Sequence, residues 1–344
     1  MPISQKSSTR NSRPKSHNRT ALLLMAVAAA AAVLLSLCCG SQPYSLQQMI
    51  FAVSHRDTDS TVWQVLVNVR VPRTLAAGLA GCALAVAGAV IQAVLNNAMA
   101  SPNVIGINAG AGFFGLLAAV FAPPAMGLVP ISSFLGAFCT ALFIYALAVR
   151  AAFSRTVLIL AGIAVGSMLT AGINTITLLE PNAVASSSSF MLGGFSGVAL
   201  ENVQSAFFYI LVGLLLAGFL AENLDVLQLG EESAASLGLN VQRTRFLAIL
   251  AAALLAGAAV SFAGLLSFVG LLVPHIVRRL VGGRNVWVLP ACALSGTAFV
   301  LLCDTLARVI FAPFEFPVGI ILSLLGGPFF LSLLLRHRKG RLYD

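Results

Sequence analysis

The sequence predicts an all-α polytopic membrane protein, and two observations support this fold class. The chain of 344 residues is 59% hydrophobic and only 9% charged, a composition that a soluble domain of this length would not tolerate. Apolar runs of about 20 residues, enough to cross roughly 30 Å of hydrocarbon, recur along the whole chain. Each run is expected to be helical, because lipid offers the backbone no hydrogen-bonding partners.

About ten spans are predicted, of which the stretch at 264–281 is short and carries both glycine and proline. The spans lie at residues 20–39, 74–95, 104–123, 130–149, 156–178, 202–220, 243–263, 264–281, 287–306 and 317–335. Together they form one transmembrane domain over residues 20–335. A basic tail at 1–19, expected to be disordered, precedes this domain, and a second basic tail at 336–344 follows it.

The first span follows a basic tail and ends with Cys38-Cys39, a pattern that also occurs at lipoprotein cleavage sites. Two features favour a retained helix. The apolar stretch is longer than the hydrophobic region of a signal peptide, and Leu37 occupies the position where cleavage requires a small residue. We therefore interpret residues 20–39 as a membrane-spanning helix.

The distribution of basic residues predicts that both termini are cytoplasmic. With the N-terminus inside, all but four of the 20 Lys and Arg residues lie on the cytoplasmic side, as the positive-inside rule expects. An even number of spans then returns the C-terminus to the cytoplasm. The net charge of +9 therefore reflects membrane orientation and does not indicate a nucleic-acid partner.

The four exterior basic residues are Arg56, Arg70, Arg73 and Arg308. Arg70 and Arg73 directly precede the second span, on the side where membrane proteins normally carry few arginines. A basic pair in that position needs a reason, and an acidic partner arriving from outside would supply one.

Polar residues cluster where the second span ends. Gln92, Asn96 and Asn97 lie there, and Asn108 lies early in the third span. These four residues are candidates either for hydrogen bonding between helices or for lining a transport pathway, and the sequence leaves both interpretations open. The Pro-containing segment 98–103 is expected to be buried or to line a cavity.

The cytoplasmic connection at 221–242 carries the signals of a short surface helix. Glu231 and Glu232 would occupy its first turn, where the helix dipole favours negative charge. Gly238 suits the position after a helix end, and Asn240 can cap the next helix. The short helix is either an ordinary solvated connector or a docking helix for a cytoplasmic partner.

Catalysis and ion-driven transport are weakly supported. Gly194–Gly197 matches the Gly-x-Ser-Gly pattern of intramembrane serine proteases, but Ser196 is predicted outside and His275 at a cytoplasmic helix end. A nucleophile and its base must approach to about 2.6–3.2 Å. The sequence also contains no phosphate-binding loop. No charged residue lies near the middle of a span, and Asp304 is near an exterior end, which argues against a proton- or sodium-driven carrier.

Three blocks of residues closely resemble the FecCD/BtuC-type permeases, which import iron–siderophores, haem and vitamin B12. The first block contains Arg70, Arg73, Gly78, Gly88, Gln92, Pro102, Gly106 and Gly110. The second contains Leu237, Gly238, Phe268, Gly270, Pro274, His275 and Arg278, and the third contains Asp304, Arg308, Glu315, Pro317, Gly319, Gly326, Gly327, Pro328 and Phe330. The chain departs from the family at 96–100, where Asn-Asn-Ala-Met-Ala replaces the usual Arg-Asn-Pro-Leu-Ala.

The resemblance implies the permease subunit of a type II ABC importer in the bacterial cytoplasmic (inner) membrane. Two permease copies, in a homodimer or a heterodimer, would form the pore. Two cytoplasmic ATPase subunits would use ATP and Mg, and an extracytoplasmic binding protein would deliver the substrate. The permease itself would bind no cofactor and catalyse no reaction. A ferric siderophore is the favoured cargo, haem or cobalamin is the alternative, and a secondary carrier without an ATPase is the competing class.

The resemblance also implies roles for individual residues. In the family, residues that match Arg70, Arg73 and Arg308 meet acidic residues on the binding protein. The segment that couples to the ATPase corresponds to Glu231, Glu232, Ala235, Leu237, Gly238 and Leu239. His275 and Arg278 would lie near that contact.

Overall fold

A computed structural model describes residues 15–40, 44, 46–55, 60–121, 127–151, 153–310, 312 and 314–340. Within these ranges the chain is helical or irregular and contains no strand, which confirms the predicted all-α class. Most of the N-terminal tail and the exterior residue Arg56 lie outside the described residues. The first helix begins at Lys15, inside the segment for which disorder is predicted.

The helices follow one another with short connections. They are α1 Lys15–Cys38, α2 Leu46–His55, α3 Thr61–Val65, α4 Val71–Leu95, α5 Ile107–Phe121, α6 Leu128–Arg150, α7 Arg155–Leu179, α8 Pro181–Leu192, α9 Leu200–Phe219, α10 Ala221–Leu227, α11 Glu231–Ser236, α12 Val241–Ala263, α13 Val269–Val281, α14 Asn285–Ile310 and α15 Val318–Gly340. A π-helical turn, Leu66–Arg70, joins α3 to α4 without a break, and a 3-10 turn, Pro102–Ile105, precedes α5.

Each predicted span corresponds to a helix, although their lengths differ. Seven helices of the described chain are long and apolar enough to cross a membrane: α1, the continuous α3–α4 unit, α6, α7, α9, α12 and α14. The apolar parts of α5 and α15 are shorter. Helix α13 has 13 residues and spans roughly 20 Å, so it does not cross the bilayer alone. The number of spans and the orientation of the termini stay predictions.

The predicted span at 264–281 is helical only from Val269. Gly264 and Phe268 both have positive φ, +70° and +66°, which interrupts a right-handed helix. Three further helices lie in segments that we expected to be exterior loops: α2, α3 and α8. The serine-rich stretch upstream of Ser196 belongs to the last of these.

Small residues allow close packing around the central helices. Helix α4 packs along α12, α13 and α14, and its alanines are almost all inaccessible to solvent. A Cβ atom added to Gly81 would overlap the backbone of Gly296, and one added to Gly88 would overlap the backbone of Gly270. Backbones therefore touch directly at these two crossings, as is common where hydrophobicity cannot drive helix association. By contrast, only 11% of the apolar stretch of α7 is buried.

Candidate functional site

Charged residues gather at one end of the bundle, which the charge distribution predicts to be extracytoplasmic. We call this group the outer cluster. Its members are Arg70, Arg73, Asp304, Arg308 and Glu315. The beginning of α4 and the end of α14 bring them together, although the two helices are far apart in sequence.

Asp304 lies at the centre of the outer cluster and is fully buried. Its carboxylate accepts three hydrogen bonds from the guanidinium group of Arg73, at 3.0, 3.1 and 3.2 Å. It also pairs with the Nε of Arg308, one helical turn away, at 3.1 Å. Arg308 donates a further hydrogen bond to the Ser36 hydroxyl of α1 at 2.9 Å. A buried carboxylate needs such partners, because transfer of an unpaired charge out of water costs several kcal/mol.

Arg70 joins the outer cluster to the end of α1. Its Nη1 donates to the carbonyl oxygens of Leu37 and Cys38 at 2.7 and 2.9 Å. These carbonyls belong to the last turn of α1, which has no intrahelical donors for them. The guanidinium also lies 5.3 Å from the centre of the Tyr44 ring, within the range of a cation–π contact. Arg70 therefore acts as a cap for α1 in this structure.

Glu315 forms the accessible edge of the outer cluster, with 37% of its side chain exposed. It pairs with Nη1 of Arg73 at 3.0 Å and accepts a hydrogen bond from the Ser196 hydroxyl. Partial burial opposes ionisation of Glu315, but Ser196 and then Arg73 outweigh it and lower the pKa of this carboxyl. A cavity of about 420 Å³, lined in part by Ser196, Asn202 and Phe316, opens beside Glu315.

The structure therefore brings together the three arginines that the sequence nominates for docking. It also shows two features that the sequence did not reveal. All three side chains are at most 5% exposed, and all three already have partners within the chain. The outer cluster nevertheless contains one more guanidinium than carboxylate. A role in docking stays a prediction. Ser196, the serine of the protease-like Gly-x-Ser-Gly pattern, contacts Glu315 and not a histidine.

At the opposite end of the bundle, α11 has the local structure that the sequence predicts. Glu231 and Glu232 form its first turn. Gly238 has a φ of +83° and donates to the Ala235 carbonyl at 2.9 Å, and the next amide, of Leu239, donates to the Ala234 carbonyl at 3.0 Å. These two bonds are the Schellman arrangement of a helix end. Asn240 then caps α12 by accepting from the Arg243 amide at 3.0 Å.

One side of α11 is fixed to the bundle, and the other is open. Glu231 forms an ion pair with Arg245 of α12, whose guanidinium lies 4.4 Å from the centre of the Phe153 ring. Leu237 is 67% exposed, and Leu229, just before α11, is 52% exposed. The exposed residues in the predicted coupling segment also include Glu232, Ala235 and Gly238. Glu231 thus holds the short helix in place, while apolar side chains next to it remain uncovered.

A second polar group lies where α10, α13 and α14 meet. The Asp225 carboxylate accepts from the backbone amide and the side-chain amide of Asn285, at 2.6 and 2.8 Å. Asn285 in turn accepts from Arg278 at 3.0 Å, and Arg278 donates to the Ala89 carbonyl of α4 at 3.2 Å. Burial raises the pKa of Asp225, although Asn285 and nearby arginines act in the opposite direction. The predicted contact residue Arg278 is therefore a link between helices.

The other predicted contact residue, His275, lies on the same helix as Arg278. Its ring is edge-on to Phe329 of α15, with 6.0 Å between the ring centres. This contact ties α13 to α15 and places His275 inside a helix interface.

The four amide residues predicted at the second and third spans fall into two pairs. Gln92 is 3% exposed and donates to the Leu271 carbonyl at 3.4 Å. Asn108 donates to the Leu266 carbonyl at 3.3 Å. These contacts join α4 to α13 and α5 to the connection between α12 and α13.

The second pair, Asn96 and Asn97, is exposed where α4 ends. Asn96 has a φ of +44° and donates to the Gln228 carbonyl at 3.4 Å. Asn97 accepts from the Met99 amide at 2.9 Å. The segment that follows is only partly buried: Ala98 and Asn103 are exposed, whereas Pro102 is buried.

A polar stripe on α7 was not predicted from the sequence. Ser167, Thr170, Asn174 and Thr177 are all exposed, and their spacing of three, four and three residues places them on one helix face. Exposed polar side chains are uncommon where a membrane-spanning helix meets lipid. The spacing of these polar residues can be read from the sequence. The mean hydropathy of the whole span is nevertheless high, and an average along the span does not show that one face is polar.

Comparison with known proteins agrees with this architecture. The profile of the FecCD transport family matches residues 26–336. Over 315 residues the chain is 35% identical to the hemin transport system permease protein HmuU of Yersinia pestis, covering 90% of this chain and 94% of that protein. It is 37% identical over 310 residues to the iron(3+)-hydroxamate import system permease protein FhuB of Bacillus subtilis (strain 168), covering 89% and 80%.

A solved structure has the same fold. It is described as an inward-facing conformation of a metal-chelate type ABC transporter, and it superposes with a TM-score of 0.83. The sequences are 27% identical, and the match covers 92% of this chain and 99% of the other. The family match extends over nearly all of the helical bundle, including both charged groups. This chain belongs to the FecCD transport family.

Proposed function

We propose that this chain is the permease subunit of an ATP-driven importer for a metal chelate in the bacterial inner membrane. Two copies would enclose the pathway, two ATPase subunits would bind below, and a binding protein would dock above. Family membership supports the transport role, and relatives named for hemin and iron(3+)-hydroxamate transport support the substrate class. Within that class a ferric siderophore is the favoured cargo, and haem or cobalamin is the alternative.

The observation that carries the proposal is the form of α11. A six-residue helix is too short to be stable on its own, yet here its C-terminal end is closed by the two bonds of the Schellman arrangement and its first turn is fixed to α12 by the Glu231–Arg245 ion pair. Beside it, Leu229 and Leu237 expose apolar surface at the predicted cytoplasmic end. A short helix that is held in place and exposes leucines beside it is typical of a segment that binds in a groove on a partner subunit. It is less typical of a free loop.

The polar stripe on α7 supports a pathway at an axis between two copies. Lipid would leave the side chains of Asn174 and its neighbours poorly solvated. A water-filled cavity at the axis would solvate them, and the low burial of α7 leaves this helix free to face such a cavity. ATP binding would close the ATPase dimer and displace α11, which would re-orient the helices. Substrate released by the docked binding protein would enter the cavity and leave it inward.

A secondary carrier is the second candidate class. It would need a coupling ion site, and ionisable residues within spans commonly provide one. In the described chain, the buried acidic residue Asp304 already lies between Arg73 and Arg308, so its charge is balanced without a transported cation. This favours ATP as the energy source.

Co-purification with the ATPase subunits tests the role of α11. The variant Leu237→Asp should lose the ATPase subunits, because a carboxylate would enter an apolar contact, whereas Leu237→Met should retain them. Both substitutions change an exposed side chain, so the folding of the permease should be unaffected. If Leu237→Asp co-purified with the ATPase as well as Leu237→Met did, α11 would not be the contact.

A further inference from the structure

Asp225 lies on α10, the helix that leads into α11, and it is aimed at the beginning of α14. Its carboxylate accepts both from the backbone amide and from the side chain of Asn285, the first residue of α14. The amide groups at a helix N-terminus have no intrahelical partners, and a carboxylate there is favoured by the helix dipole. Asp225 therefore caps α14 from a different helix.

Asn285 also links Asp225 to two more helices, α13 and α4, through Arg278. Asn285 is 0% exposed, and its side-chain amide oxygen, Oδ1, accepts from Arg278 in the last turn of α13. Arg278 also donates to Ala89 of α4 and to Gly283 of the α13–α14 connection. We call Asp225, Asn285 and Arg278 the inner bracket. It joins α10 to α4, α13 and α14 through hydrogen bonds, three of which involve a charged group at 3.0 Å or less.

Helix α10 is itself firmly seated. Leu224 and Leu227 are at most 2% exposed, and Gln228, which follows α10, accepts from Asn96 at the end of α4. Only Leu229 and Gly230 separate this anchored turn from α11. A displacement of α11 therefore acts on α10 through a very short connection.

The helices held by the inner bracket reach the other end of the molecule. Helix α14 has 26 residues, or roughly 39 Å at 1.5 Å per residue, and carries Asp304 near its far end. Helix α4 carries Arg73, which pairs with Asp304. The inner bracket and the outer cluster are thus the two ends of one pair of packed helices.

We propose that Asp225 is a positioning residue for coupled transport, which acts through Asn285 and Arg278 to transmit the position of α11 to α4, α13 and α14. This inference rests on the proposed function of the chain as an ATP-driven permease. It adds a requirement that α11 alone does not impose: ATP hydrolysis moves substrate only while the inner bracket is intact.

The test compares variants of the assembled transporter in proteoliposomes, with ATPase subunits and binding protein present. The readout is the amount of substrate taken up per ATP hydrolysed. Asp225→Ala removes both acceptor bonds, and Asn285→Asp places two carboxylates face to face. Each should lower uptake per ATP by about fivefold or more, the usual range of coupling between sites, while the ATPase stays bound.

The exchange variant D225N/N285D is the matched rescue. In the wild-type protein both bonds to Asp225 end on one oxygen, Oδ1. The exchange leaves a single carboxylate, which faces Arg278, and the amide introduced at position 225 turns so that its oxygen accepts from the backbone N–H at 285 and its nitrogen donates to that carboxylate. Uptake per ATP should therefore return to within about twofold of wild type. A residue needed only for folding would change the yield or thermal stability of the complex, but not this ratio.

Two results would overturn the inference. One is a wild-type ratio in an assembled Asp225→Ala variant, and the other is an exchange variant no better than Asn285→Asp alone. If Asp225→Ala fails to assemble, the comparison between Asn285→Asp and the exchange variant decides. Failure of the proposed function would look different, because the wild-type complex itself would show no uptake that depends on ATP.

Discussion

Asp304 is fully buried and balances two arginines. Removal of one partner from a buried ion pair typically costs about 3–5 kcal/mol, because the other charge is left uncompensated. Here the loss would leave Arg308 without the carboxylate it pairs with and Arg73 with Glu315 alone. The outer cluster is therefore expected to be a strong determinant of the stability of the bundle, in addition to any role in docking.

We predict that Asp304→Ala markedly lowers the melting temperature of the detergent-purified permease. Asp304→Asn, which keeps the shape and an acceptor, should have a smaller effect. The control is Glu315→Gln, which removes one partly exposed contact of Arg73 and should change stability little. Equal melting temperatures for Asp304→Ala and Glu315→Gln would contradict the central role of Asp304 in the outer cluster.

The internal pairing of Arg73 also sharpens the docking hypothesis. An acidic residue of the binding protein would compete with Glu315, the accessible carboxylate that already holds Arg73. We therefore expect Glu315→Gln to strengthen docking, and the charge reversal R70E/R73E to weaken it. Affinity of the binding protein for the permease in nanodiscs measures both effects.

Membrane insertion and the elution volume on size exclusion serve as controls for that experiment, since Arg70 and Arg73 both have structural partners. Unchanged affinity in R70E/R73E, in a variant that remains folded, would remove the outer cluster from the docking surface. An unchanged affinity in Glu315→Gln would show that Glu315 does not compete.

At the scale of elements, α7 is the helix whose surroundings are least explained by the chain itself. Its stripe of Ser167, Thr170, Asn174 and Thr177 faces away from the bundle. Met168, which is 74% exposed, lies on a different face of the same helix. The two faces should therefore meet different environments, water for the stripe and lipid for Met168.

Cysteine labelling distinguishes these environments. In a Cys139→Ala background, which removes the exposed cysteine of the described chain, we predict that T170C and N174C react with a membrane-impermeant, water-soluble thiol reagent. M168C is the matched control and should react slowly, because thiolate forms poorly in lipid. Equal labelling of all three positions would argue against a water-filled pathway along α7.

Elements governed by local signals could be predicted from the sequence. The first turn of α11, the left-handed Gly238 and the Asn240 cap all depend on residues within a few positions of each other. The partner of Arg73 could not be found this way, because Asp304 is 231 positions away and nothing local specifies which helices cross. The helices α2 and α3 could not be predicted for a different reason, because segments of ten and five residues carry little periodicity.

At the scale of the whole molecule, the two charged groups lie at opposite ends of α4 and α14. The outer cluster joins these helices through Arg73 and Asp304, and the inner bracket joins them through Arg278 and Asn285. This arrangement gives a physical route by which events at the predicted cytoplasmic end reach the predicted extracytoplasmic end.

ATP-dependent uptake into proteoliposomes tests this account most directly. The permease is reconstituted with its ATPase subunits, the binding protein is supplied with a labelled ferric siderophore outside, and haem and cobalamin are tested in parallel. We predict accumulation of one chelate only when hydrolysable ATP and the binding protein are both present, with no effect of an ionophore. Uptake by the permease alone, driven by a proton or sodium gradient and independent of ATP, would contradict it.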